Sequence, residues 1–231
     1  MRTVGVVQAR CGSSRLPGKS LKSLAGRPML SHVLERAQAI PGLDQVLLVT
    51  STAERDRALQ AIAAPLGIST VFGSEHDVLA RIYDAVEPLA SQVIVRLTGD
   101  CPFLDPEIAA LVIARFDPQV SDYISNDTTC SGYPDGTDVE AFTWEALALA
   151  AAQAFRHGDR EHVTPWIRQH CRCAMVMNAD GDYSALKLSV DTAADWERAQ
   201  RIAERLARLA PGDYSLAATL EAHYFTEERV D

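Results

Sequence analysis

The stretch Thr3-Val4-Gly5-Val6-Val7-Gln8-Ala9-Arg10-Cys11-Gly12-Ser13-Ser14-Arg15-Leu16-Pro17-Gly18-Lys19 decides how this chain is read. An apolar run rich in β-branched residues breaks into a Gly/Ser loop that carries two arginines and a lysine. The run reads as a buried strand, and the loop has the make-up of a phosphate cradle. Glycine and serine let backbone N–H groups approach an anion, and the cations neutralise it. Pro17-Gly18 sets a turn that carries Lys19 back toward the strand end. The ending Gly18-Lys19-Ser20 is that of a P-loop, but G-x-x-x-x-G-K-[ST] needs glycine at position 13, where this chain has Ser13. Gly12 stands one residue early and Pro17 stiffens the backbone, so the Walker reading is set aside.

Outward from this loop, β-rich runs alternate with helical patterns. Residues 45–50, 69–72 and 92–97 read as further strands. Helices are expected at 28–40, closed by Pro41-Gly42, at 54–66, ended by Gly67, and at 76–89. Continuous apolar strands between helices imply a parallel sheet covered on both faces, an α/β sandwich of Rossmann-like character. The rhythm then changes. Residues 122–142 hold short β-like pieces around the turn Tyr133-Pro134-Asp135-Gly136. Helices follow at 143–155 and 162–170, strands near 173–178 and 186–190, and a long helix at 192–209 capped by Asp191 or Thr192. A short tail helix is expected within 211–231, and the whole of 1–231 reads as one domain.

Hydrophobic residues make up 47% of the 231 and charged residues 23%, enough apolar content for a full core. The net charge of −9 argues against nucleic acid and membrane surfaces as partners, both of which call for a basic face. Five cysteines without paired metal-ligand spacing read as reduced, and the chain enters a strand at once, so a cytoplasmic protein is expected.

Open parallel sheets bind ligands at the carboxyl ends of their strands. The first strand ends at the Arg10–Lys19 loop and the fourth at Thr98-Gly99-Asp100, so the two should lie together. A carboxylate beside a phosphate cradle suggests Mg²⁺ held by one or two carboxylates plus substrate phosphates. Asp191, at another strand-to-helix junction, is the second expected ligand. Asp100 also fits a Gly-Asp turn, and Asp191 also fits an N-cap.

The pattern R-x-G-S-x-R-L-P-G-K at 10–19 resembles the signature loop of sugar nucleotidyltransferases. The chain as a whole resembles the cytidylyltransferase family of the spore coat polysaccharide biosynthesis protein F type, relatives of CMP-sialic acid and CMP-Kdo synthetases. Phe72–Leu79, Arg96–Pro102, Asp122–Asn126, Asp138–Glu140, Arg160–Pro165 and Val190–Thr192 carry the resemblance further. It implies a mixed, mainly parallel sheet in a three-layer sandwich of the nucleotide-diphospho-sugar transferase type, with 122–180 supplying the acceptor side and a homodimer contact. It implies transfer of CMP from CTP to an acid sugar of the nonulosonic type or a similar acceptor, with release of pyrophosphate, for cell-surface polysaccharide.

On this resemblance Lys19, Arg15 and Asp100 are the catalytic set, and Asp100 and Asp191 hold Mg²⁺. Ala9, Arg10, Gly12, Ser13, Ser14, Arg15, Lys19, Thr98 and Gly99 surround the nucleotide, with Ser74, Asp77 and Arg81 at its base. Ser74 and Asp77 read equally as the start of a helix. Asn126, Asp138, Glu140, Arg160 and His162 fall on the acceptor side; Asp138 and Glu140 share a face if 138–140 is a strand. Three other readings stand beside this one. They are a glycosyltransferase with Asp138-Val139-Glu140 as its metal motif, a cytidylyltransferase acting on a phosphonate, and a nucleotide-binding protein without activity.

Overall fold

A computed structural model describes residues 1–227 of the chain. In chain order its elements are β1 (Thr3–Gln8), the small hairpin β2 (Ser23–Leu24) and β3 (Arg27–Pro28), α1 (Met29–Gln38), β4 (Gln45–Ser51), α2 (Ala58–Ala63), β5 (Ser69–Gly73), α3 (Val78–Val86), β6 (Val93–Thr98) and α4 (Pro106–Arg115). There follow β7 (Tyr123–Ser125), β8 (Glu140–Thr143), α5 (Trp144–Gln153), α6 (His157–His162), α7 (Pro165–His170), β9 (Cys173–Met175), α8 (Ala193–Leu209) and α9 (Leu216–Glu227).

Seven strands form one sheet in the order β5-β4-β1-β6-β8-β7-β9. The first four run parallel, β8 is antiparallel to both β6 and β7, and β9 returns parallel to β7. The sheet is therefore mixed and mainly parallel. Side-chain alternation sends Val4, Val6, Leu47, Val49 and Ile94 to one face, where α3, α5 and α7 cover them. Val7, Leu48, Val95 and Leu97 go to the other face, under α1, α2 and α4. A third apolar cluster joins Leu16 of the first loop to Leu188, Val190 and Trp196 at the start of α8. From β1 the chain goes by α1 to β4 on one side, and β5 returns by α3 to β6 on the other. The carboxyl ends of β1 and β6 thus face a topological switch point.

Several expected elements take a different form. The helix at 54–66 is cut to α2 between two 3₁₀ turns, because Pro65 removes a backbone donor. The helix expected at 162–170 splits in two, with Pro165 opening α7. Between them Val163 adopts φ 72° and ψ −58°, rare for a β-branched residue, and is fully buried. No strand forms over 186–190; Lys187 makes a single bridge to Asp135, while Leu188 and Val190 are drawn into the third cluster. Helix α4 was not anticipated, although Asp105-Pro106-Glu107 carries its signal. Positions 228–231 of the expected tail lie outside the described residues. No helix among the described residues is long and apolar enough to cross a membrane.

Candidate active site

After β1 the chain leaves the sheet and closes on itself, with the Gly18 N–H donating to the Cys11 carbonyl at 3.0 Å. The Cys11 N–H donates to Asp56 Oδ1 at 2.7 Å, and the Ser51 hydroxyl donates to the other oxygen of this buried carboxylate. Asp56 therefore pins the cradle to the end of β4. Burial and the nearby Asp56 charge push the Cys11 thiol up to about 12, so it stays protonated. Gly18, at φ 69°, opens the 3₁₀ turn Lys19–Leu21 and directs Lys19 inward.

Gly99 marks the closest approach of the strand ends: a Cβ there would stand 2.7 Å from Ala9 Cβ and 2.9 Å from the Gln8 carbonyl oxygen. Any side chain would push β6 and the cradle apart. The Val190 N–H donates to the Asp100 carbonyl at 2.9 Å, drawing the segment before α8 to the same spot. Lys19, 7% exposed, occupies the junction. Its Nζ donates to Asp100 Oδ2 at 2.9 Å, Asp191 Oδ1 at 3.1 Å and the Val190 carbonyl at 2.7 Å. Arg15 stands 3.3 Å from Asp191 Oδ1, and Lys187 donates to Asp191 Oδ2 at 2.9 Å. Thr192, not Asp191, caps α8, in a reciprocal capping box with Asp195. Asp191 is thereby left for cations. Burial raises its pKa, but hydrogen bonds from Lys187 and Lys19 and their charges outweigh burial and hold it below the usual value.

Two cavities meet here. The first, about 350 Å³, runs along the cradle. Every expected nucleotide contact lines it except Ser74 and Asp77. Those two build the start of α3: Ser74 Oγ accepts from the Asp77 N–H at 3.0 Å, and Asp77 accepts from the Ala80 N–H at 2.9 Å. Asp77 is further engaged by Arg160, whose Nε and Nη2 both donate to it. Arg160 also donates to the Ala151 carbonyl, fastening α6 to α3 and α5. Its expected place on the acceptor side is thus not observed. Its long-range ion pair explains the difference, since it spends the guanidinium on packing. Arg81 reaches the first cavity, buried, with Nη1 donating to the Ser74 carbonyl at 2.7 Å and Nε without a partner. Burial, helped by the charge of Arg10, brings its guanidinium down to about 10.

The second cavity, about 270 Å³, lies between β6, β8 and the 126–138 loop. Asn126, Asp138 and Glu140 line it, but His162 does not; His162 and Glu161 face the first cavity, where Glu161 pairs with Arg10 at 3.4 Å. Asp138 precedes β8 and accepts from Thr128 Oγ1 at 2.7 Å and the Gly136 N–H at 2.9 Å. Glu140 is tied to Arg96 and accepts from the hydroxyls of Tyr123 and Thr164, each at 2.7 Å. Arg168, also in this wall, was not named from the sequence, and Arg96 only as the first residue of a matching stretch, with no role given to either. Nothing in their local spacing marks them, because β6 and α7 meet the cavity only in the fold. The two cavities share Thr98, Asp100 and Asp191.

The shared carboxylates fit a divalent metal, since oxygens of both already converge on one cation, the Lys19 ammonium. Their all-oxygen character suits a hard ion such as Mg²⁺. Among the described residues no group of three or more His, Cys, Asp or Glu side chains could hold a metal, so phosphate oxygens would complete the shell.

The sequence profile described as cytidylyltransferase matches residues 4–229. The spore coat polysaccharide biosynthesis protein SpsF of Bacillus subtilis is 34% identical over 201 residues, covering 83% of this chain and 82% of its own. A cytidylyltransferase from Leptospira borgpetersenii superposes with a TM-score of 0.89 at 26% identity, covering 99% of this chain and 96% of its own. A CMP:2-keto-3-deoxy-manno-octonic acid synthetase complexed with CTP shares the fold, with a TM-score of 0.64 at 20% identity over 87% of this chain and 97% of its own. With its cradle after β1 and its carboxylates at the ends of β6 and the α8 junction, this chain belongs to the cytidylyltransferase family, and is a nucleotidyltransferase.

Proposed function

We propose that the protein transfers CMP from CTP to a hydroxyl of a small acceptor with release of pyrophosphate. CTP would lie in the cradle and the acceptor in the second cavity. The observation that carries this reading is the meeting of the two cavities at Asp100 and Asp191, with Lys19 between them. An acceptor oxygen and the α-phosphorus could then adjoin across a shared wall, and proximity of this kind lowers the barrier of a displacement.

Lys19, Arg15 and Arg10 surround the part of the first cavity suited to a triphosphate. Charge that spreads onto the leaving pyrophosphate would be met by these cations. Arg81, which lines the cradle cavity, is placed to read a base edge. Asp100 and Asp191 would hold Mg²⁺, which supplies Lewis-acid polarisation of phosphate and acceptor oxygens. Arg168, half exposed at the second cavity and ion-paired there with Asp127, is the cation that an acid acceptor would engage in competition with that carboxylate. An acid sugar is the first candidate, a class supported by the name of the CMP:2-keto-3-deoxy-manno-octonic acid synthetase; the nonulosonic type is the member that the sequence resemblance implies, and a phosphonate is the second candidate. The product would serve cell-surface polysaccharide. We place the enzyme in the cytoplasm as a homodimer, with 1–231 as one domain and 122–180 as its acceptor side.

The test is pyrophosphate release with CTP, UTP, ATP and GTP in Mg²⁺ against a panel of acid sugars and phosphonates. Release with CTP alone, dependent on one acceptor and reduced about 10³-fold by Asp100→Asn or Lys19→Ala, is the expected result. Acceptor-dependent release with a different nucleotide would overturn the assignment of CTP.

A further inference from the structure

An ammonium has three protons to donate, and Lys19 spends all of them. Two go to Asp100 and Asp191 and one to the Val190 carbonyl, at 2.7 to 3.1 Å. None is left for a phosphate. The carboxylates it bridges are also the two suited to a divalent ion, and two cations cannot share one position. We propose that the Lys19 ammonium is the resident counter-ion of the metal site in the nucleotide-free protein. It yields that place when metal arrives together with the triphosphate, so divalent ions bind poorly until nucleotide is present. This rests on the metal assignment in the proposed function.

Electrostatics give the direction. Two carboxylates turned toward one partly buried point repel each other unless a cation lies between them. A metal arriving alone must expel Lys19 from three oxygen partners into a cleft where Arg10, Arg15 and Arg81 outnumber the one other carboxylate, Glu161, which Arg10 already holds. Leaving a charge without partners is costly. A triphosphate in the same cleft supplies new acceptors within reach of the unbranched lysine stem, so expulsion becomes an exchange of partners. Metal and nucleotide then favour each other's binding reciprocally. Lys187 does not take part in the exchange: it holds Asp191 Oδ2 and Asp195 from outside the shared point, fixing the carboxylate so that Oδ1 is the oxygen offered.

The test is Mn²⁺ titration followed by electron paramagnetic resonance, without nucleotide and with CTP, on the wild type, Lys19→Met and Lys187→Met. Lys19→Gln serves as a second uncharged variant if the methionine variant does not fold by circular dichroism. Lys19→Met should bind Mn²⁺ without nucleotide about tenfold or more tighter than the wild type, and lose most of the gain that CTP brings. Lys187→Met should change nucleotide-free affinity less than Lys19→Met does. Unchanged or weaker Mn²⁺ binding by both Lys19 variants would overturn the exchange. So would an equal gain from Lys187→Met, which would reduce the effect to net charge. If either result accompanies normal CTP turnover by the wild type, the exchange fails and the proposed function stands. Absence of Mn²⁺ binding by every protein, with CTP present, removes the metal assignment and this proposal together.

Discussion

Val163 is the most strained side-chain-bearing residue in the active-site region. Its φ of 72° and ψ of −58° hold a tight turn in which the Thr164 N–H donates to the His162 carbonyl at 2.8 Å. The turn sends His162 to the first cavity and the Thr164 hydroxyl to Glu140 in the second. A buried valine truncated to glycine is ordinarily worse off than one truncated to alanine, since glycine adds backbone entropy to the unfolded chain. Here the order should reverse. Val163→Gly should match or exceed Val163→Ala in urea stability, by about 1 kcal/mol, because only glycine relaxes at positive φ.

Asp195 makes the second residue-scale prediction. Burial raises its pKa, yet hydrogen bonds from Arg198 and from the Asp191 and Thr192 N–H groups carry it far below the ordinary carboxylate range. A depressed folded pKa means stability that is complete above the unfolded value, near 3.9, and is lost as pH falls through the folded value. Asp195→Asn should therefore cost about 2 kcal/mol at pH 7. The gap from the wild type in urea melts should narrow as the pH falls below about 4. Asp100 was legible in the sequence just past a strand, Lys19 at the close of the first loop, and Asp191 ahead of a helix, although the strand expected before Asp191 does not form. Asp56, Lys187 and Asp195 were not, because their partners become neighbours only when distant segments fold together.

At the scale of elements, helix ends do much of the joining. Asp105 caps α4, accepting from the Glu107 N–H at 2.7 Å and the Ile108 N–H at 3.3 Å, while its second oxygen accepts from the Leu216 N–H at 2.6 Å. One buried carboxylate thus caps one helix and anchors the start of another 111 positions away. Asp105→Ala should cost about 2 kcal/mol or more, above the usual value for a lost cap, with α9 the first helix to lose amide-exchange protection. The first half of the chain was legible because its central strands β1, β4 and β6 are largely buried on both faces and its helices carry ordinary stops. The second half was less so. The alternation Leu186, Leu188, Val190 has the period of a strand, but Leu188 and Val190 are buried against α8 without a ladder of backbone bonds. Helix α4 carries an N-cap and a proline at its first turn, and lay hidden only because the preceding residues read as loop.

For the molecule as a whole, the sheet order brings β1 and β6 side by side and so gives both cavities one wall. That wall has a stereochemical consequence. An acceptor entering from one side, with pyrophosphate departing into the other, would approach phosphorus opposite the leaving oxygen. On the proposed direct transfer no covalent nucleotidyl–enzyme intermediate would form, and a single displacement would turn the phosphorus inside out once. A CTP analogue chiral at the α-phosphorus through sulfur substitution should therefore give product of inverted configuration, read by ³¹P NMR. Retention would require two displacements and a protein nucleophile at the wall.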